Sequence, residues 1–95
     1  MEIEQILEKV KQNMLITGNF HDKLLTNYIL EVQQFLKDAG VNEDIVNSAE
    51  AIGIVSRGVL DLWNYGSGQA NLSEYFMQRA TQLALINEEG DETHE

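Results

Sequence analysis

Residues Ser48 to Gly66 read Ser-Ala-Glu-Ala-Ile-Gly-Ile-Val-Ser-Arg-Gly-Val-Leu-Asp-Leu-Trp-Asn-Tyr-Gly. This is the most apolar long segment of the chain, and it holds the only tryptophan. Turned at about 100° per residue, Ala51, Ile52, Val55, Gly58, Val59, Leu62 and Trp63 share one face. Ile54 and Leu60 fall on opposite sides of it. A helix apolar over so wide an arc sits at the centre of a domain and touches several neighbours. The spacing therefore predicts a central helix over about 48–65. Gly53 and Gly58 lie inside it, each at a cost of about 1 kcal/mol relative to alanine. Either they admit a second helix at close range, or they are tolerated small residues. Arg57 and Asp61 are four apart on the polar side and suit an ion pair. Arg57 is also one of only two arginines, which suits a contact to an acidic neighbouring subunit.

Upstream, Ile3, Ile6, Leu7, Val10 and Met14 follow a helical repeat over about 2–14 and leave Glu4, Gln5, Glu8, Lys9, Lys11 and Gln12 on the outer face. Gly18 and Asn19 mark a turn. A second helix is predicted over about 20–39, with Asn19 and Asp22 at capping-box spacing. Its core stripe is Leu24, Leu25, Tyr28, Ile29, Val32, Phe35 and Leu36, and Gly40 terminates it. Leu30 points the other way, among Asn27, Gln34 and Lys37, where a subunit contact could form.

Asn42 caps a short helical turn at 43–46, with Val41 and Val46 at staple spacing. Asn47 and Glu50 have the spacing of another capping box. After the central helix, Gly66-Ser67-Gly68-Gln69-Ala70-Asn71 reads as a flexible loop. Its Gly-x-Gly lacks the preceding strand and third glycine of a dinucleotide motif. Ser73 caps a last helix over about 74–86, with Phe76, Met77, Ala80, Leu83 and Ala84 inward. Residues 87–95 are nearly all acidic or polar and read as a disordered tail. The predicted fold is thus an all-α bundle of four main helices, with domain 1–86 and a tail 87–95.

Composition narrows the function. Sixteen acids against six bases give a formal net charge of −10. Such a surface repels nucleic-acid phosphates. Without cysteine there are no disulfides or thiolate metal sites. The first residues lack the pattern of a signal peptide, and no apolar run reaches the roughly 20 residues a membrane span needs. His21 and His94 have no partner at metal-ligand spacing. No HExxH, P-loop, GxSxG or calcium-loop pattern occurs. The expectation is a cytoplasmically made protein, not an enzyme, with no cofactor and no sequence-specific DNA binding.

The order of features carries more. Ile6 to Gly18 reads Ile-Leu-Glu-Lys-Val-Lys-Gln-Asn-Met-Leu-Ile-Thr-Gly, and Leu24 to Val32 reads Leu-Leu-Thr-Asn-Tyr-Ile-Leu-Glu-Val. Gly40-Val41 and Val46-Asn47-Ser48 follow, then Val55 to Gly66, a loop, and Leu72-Ser-Glu-Tyr-Phe76. This succession resembles the small head–tail connector proteins of tailed phages and prophages, also called head completion, adaptor or DNA-packaging proteins. The likeness covers about residues 1–86 and is most telling from Arg57 to Gly66. It implies a helical, non-enzymatic ring subunit below the portal of the filled capsid. Such a ring extends the DNA channel and offers a surface to the portal protein on one side and the next connector or tail protein on the other. DNA passes without specific binding, and many such subunits are monomers when free. The implied location is the virion's head–tail junction, after assembly in the bacterial host cytoplasm. Residues 87–95 match nothing in that pattern. Candidate interface residues are Leu30, Arg57, Trp63, Tyr65, Gly66, Gly68 and Gln69, although Trp63 suits the core better than the interface. The alternative is an acidic interaction protein, such as a DNA mimic that fills the basic cleft of a host nucleic-acid-binding protein.

Overall fold

A computed structural model describes the backbone of residues 1–93 and the side chains of residues 1–85. The fold is all-α, with no strand among the described residues. Five helices follow in order: α1 (Ile3–Met14), α2 (Asp22–Asp38), α3 (Glu43–Val46), α4 (Ile52–Tyr65) and α5 (Glu74–Thr93). Single 3-10 turns at Ala49–Ala51 and Gln69–Asn71 flank α4. The backbone of α5 continues past the expected end at Ile86. The side chains of 86–95 lie outside the described residues, as does the backbone of 94 and 95, and with them the expected acidic tail.

α4 packs against α1, α2 and α5, as its wide apolar arc requires. Val55, Val59 and Leu62 are buried there with Ile6 and Val10 of α1, Leu25, Ile29, Val32 and Leu36 of α2, and Phe76 and Ala80 of α5. Ile54, off the main face by its angle, is buried as well. Gly58 explains how α4 fits so closely. A Cβ there would meet Phe76 Cε2 and Val32 Cγ1, both at 2.8 Å. Its lack of a side chain lets α2 and α5 converge on α4. At Gly53 a Cβ would meet nothing within 4 Å, so its helix-propensity cost of about 1 kcal/mol has no packing return inside the chain.

Several ends follow local sequence signals. Asn42 accepts from the Asp44 N–H at 2.8 Å, and Ser73 Oγ accepts from the Phe76 N–H at 3.1 Å. Gly40 ends the α2 segment at φ 100°, and Val41 and Val46 are both buried. Two predicted capping boxes do not form. At the α2 start, His21 takes the cap position without a side-chain bond, while Asp22 faces Lys11 across the turn. Asn47 Oδ1 accepts from Gln33 Nε2 at 3.2 Å instead. That bond ties buried Gln33 of α2 to the α3–α4 connection, and the chain enters α4 through a 3-10 turn. Both side chains are captured by distant partners that local spacing does not reveal.

Lys11 is the largest departure. The helical repeat puts it on the outer face of α1, yet it is 7% exposed. The α1–α2 turn folds back over it. Its ammonium donates to Asp22 Oδ1 at 2.8 Å and to the Gly18 carbonyl. A buried charge needs such partners, and here they fix the turn. Leu15 closes α1 in the left-handed conformation, at φ 58°, with its own side chain 90% exposed.

Candidate subunit and partner interface

The α4 C-terminus and the loop after it hold five of the seven candidate residues. Gly66 ends α4 at φ 97°, and its N–H donates to the Leu62 carbonyl at 2.7 Å. The final carbonyls of a helix need outside donors. Asn71 supplies them, its Nδ2 lying 3.1 Å from the Tyr65 carbonyl and 2.9 Å from that of Gly66. Gly68, at φ 126°, presents its N–H to Glu31 Oε2 at 2.7 Å, while Ser67 Oγ donates to Glu31 Oε1. The loop read as flexible is therefore tied at both ends. The backbone N–H of its Gly-x-Gly already holds a carboxylate from α2.

Tyr65 is 71% exposed at the end of α4. Trp63 is half-buried against the core. Its ring meets His21 edge-on at 5.0 Å, and His21 meets Phe20 edge-on at 4.8 Å. The α1–α2 turn thus delivers an aromatic row to the end of α4, with Phe20 almost fully exposed. Offset and edge-on aromatic pairs stabilise beyond their buried area. Leu30 projects outward from α2, half exposed, as expected.

Gln69 lines a groove of about 300 Å³ with Glu31, Gln34, Phe35, Asp38 and Leu72. Its floor is apolar and its rim acidic. Arg57 faces elsewhere. Its Nε lies 3.5 Å from Asp61 Oδ1, and its guanidinium carbon sits 5.4 Å from the centroid of the Tyr75 ring. Asp61, expected on the polar surface, is 3% exposed, and its other oxygen accepts from the Ser73 N–H. Arg79 continues this edge one turn beyond Tyr75 on α5 and donates to Gln82 Oε1 at 2.9 Å.

Six of the seven candidates fall in four places: Trp63 with the α1–α2 turn, Tyr65 and Gly66 at the α4 end beneath Asn71, Gly68 and Gln69 beside the acidic groove, and Arg57 on the α4–α5 edge. The seventh, Leu30, lies on α2 one turn before Gln34 of that groove. Sequence reasoning missed Phe20, Glu31 and Tyr75. A phenylalanine directly after a Gly-Asn turn was the available signal for the first, whereas the other two depend on distant partners.

Among the described residues no three His, Asp or Glu side chains gather as a metal site. No helix there is long and apolar enough to cross a membrane. The chain matches no protein-family model, no curated protein and no solved structure.

Proposed function

We propose that this chain is a head–tail connector subunit of a tailed phage or prophage, one copy of a ring that sits below the portal protein, lengthens the DNA channel and receives the next connector or tail protein. The observation that carries the reading is the run from Arg57 to Gly66. In sequence it is the strongest point of likeness to that family. In the fold it serves two ends at once: Gly58, Val59 and Leu62 fix the bundle, while Arg57 and Tyr65 face outward. An assembly subunit needs that division, a rigid centre carrying exposed contact groups. The reading assigns the protein no catalysis and no cofactor, and places it in the virion after assembly in the host cytoplasm.

The charge fits this use. A ring of copies at −10 each surrounds DNA without gripping it, because like charge disfavours lasting phosphate contacts. The same charge would suit a DNA mimic, and a pulldown separates the two readings. A connector recovers the portal and tail-side virion proteins. A mimic recovers a host nucleic-acid-binding protein, with capture that weakens as salt rises.

A further inference from the structure

We propose that the groove between α2 and the turn at 69–72 holds a basic amphipathic helix of another protein, one with two lysines or arginines seven residues apart and an apolar stripe between them. This contact stands whether or not the chain is a connector subunit.

The lining of the groove selects that chemistry. Phe35 and Leu72 form its floor, and the Phe35 ring rests on buried Phe76 at a centroid distance of 5.6 Å. Glu31 and Asp38 form an acidic rim, with Gln34 between them and Gln69 opposite. No lysine or arginine lines the groove. Among the described residues, none pairs with either carboxylate. Lys37, next to Asp38 in sequence, turns to Glu43 at 3.6 Å. Both rim carboxylates are held in place by neutral donors. Glu31 accepts from Ser67 Oγ and the Gly68 N–H, and Asp38 accepts from Gln34 Nε2 at 2.9 Å. Asp38 is also the last residue of α2, where the partial negative charge of the helix end adds to its own. An apolar floor inside an uncompensated acidic rim favours an occupant that is both apolar and cationic.

Spacing names the segment. Glu31 and Asp38 stand seven residues apart on α2, two turns, or about 10.5 Å along the axis. A helix laid alongside α2 meets both with bases at its own positions i and i+7. Its side chains at i+3 and i+4 then face Phe35 and Leu72, as in other helix-in-groove contacts. No two lysines or arginines of this chain are seven residues apart, so a second copy does not carry the segment.

The probe is a capped, alanine-based helical peptide of about 15 residues, with arginine at its fourth and eleventh positions and leucine at its seventh and eighth. It is fluorescently labelled and titrated with the full chain. The control is an isomer of the same composition with the leucines at the sixth and ninth positions, on the face opposite the arginines. The first peptide should bind about tenfold more tightly than the isomer, because only its leucines reach the apolar floor. Asp38→Asn should weaken that binding about three- to fivefold, whereas Glu8→Gln on the outer face of α1 leaves it unchanged. Gln34→Arg, at an exposed position within the rim, should lower it to the level of the isomer. Equal binding of the two peptides, or equal losses from Asp38→Asn and Glu8→Gln, would mean attraction to the charge of the whole chain and overturns the proposal. Absence of binding overturns it too. Amide shifts at Gln34 and Gln69 that grow with the concentration of the chain alone would put a second copy in the groove, which also refutes it.

Discussion

The carboxylate of Asp61, buried at the α4–α5 edge, accepts the Ser73 N–H at 2.9 Å. With Arg57 on its other oxygen, it joins α4 to the first residue before α5. Asp61→Ala leaves a backbone donor and an arginine without their partner, so it should destabilise the fold by about 2 kcal/mol. In a thermal melt that is a fall of roughly 10 °C. Asp61→Asn keeps an acceptor for Ser73 and should lose about half as much.

The two helical glycines should respond in opposite directions. Gly58→Ala drives a methyl into Val32 and Phe76, with an expected cost of about 1–3 kcal/mol. Gly53→Ala meets nothing and should gain about 0.5–1 kcal/mol through helix propensity and a less mobile unfolded chain. Chemical denaturation of the pair reads both signs. Equal effects would contradict the assignment of Gly58 as the close-approach point.

The pattern of legibility is visible in individual residues. Gly40, Asn42 and Ser73 act on backbone groups within a few residues, so their spacing revealed the ends they set. The arc from Ala51 to Trp63 showed which helix lies at the centre, because burial follows the 3.6-residue repeat. Lys11 and Asp61 read as surface charges, and Glu31 drew no reading, because their partners lie across a turn, on another helix or in a distant loop. Asn47 and Asp22 had capping spacing, yet Gln33 and Lys11 claim them. Interface residues suffer the same ambiguity in sequence, where nothing local links Tyr75 to Arg57.

Lys11 should prove to be a tether for the α1–α2 turn. Asp22 keeps about a third of its side chain in water, so the pair contributes less than a fully buried one. Lys11→Met should cost about 1–2 kcal/mol. A double-mutant cycle with Asp22→Ala should return a coupling of about 1 kcal/mol, and a coupling near zero would assign the loss to packing of the lysine stem.

Glu31 should govern the order of the loop at 66–71. Glu31→Gln retains the shape, removes the charge and leaves one acceptor oxygen where the carboxylate offers two to Ser67 and Gly68; hydrogen bonds are also stronger when the acceptor is ionised. Amide exchange at Gly68 should accelerate by about tenfold, whereas exchange at Val59 in the core stays unchanged. Uniform acceleration of both would mean that the carboxylate supports global stability instead of the loop.

The connector role is the central claim, and native mass spectrometry of the full chain with the cognate portal tests it most directly. The account predicts a portal-bound species carrying a closed ring of this chain. The ring should form more readily as salt rises from 0.1 M to 1 M, since the Debye length falls from about 10 Å to about 3 Å and repulsion between copies at −10 is screened. Portal that stays bare at every protein and salt concentration would contradict it.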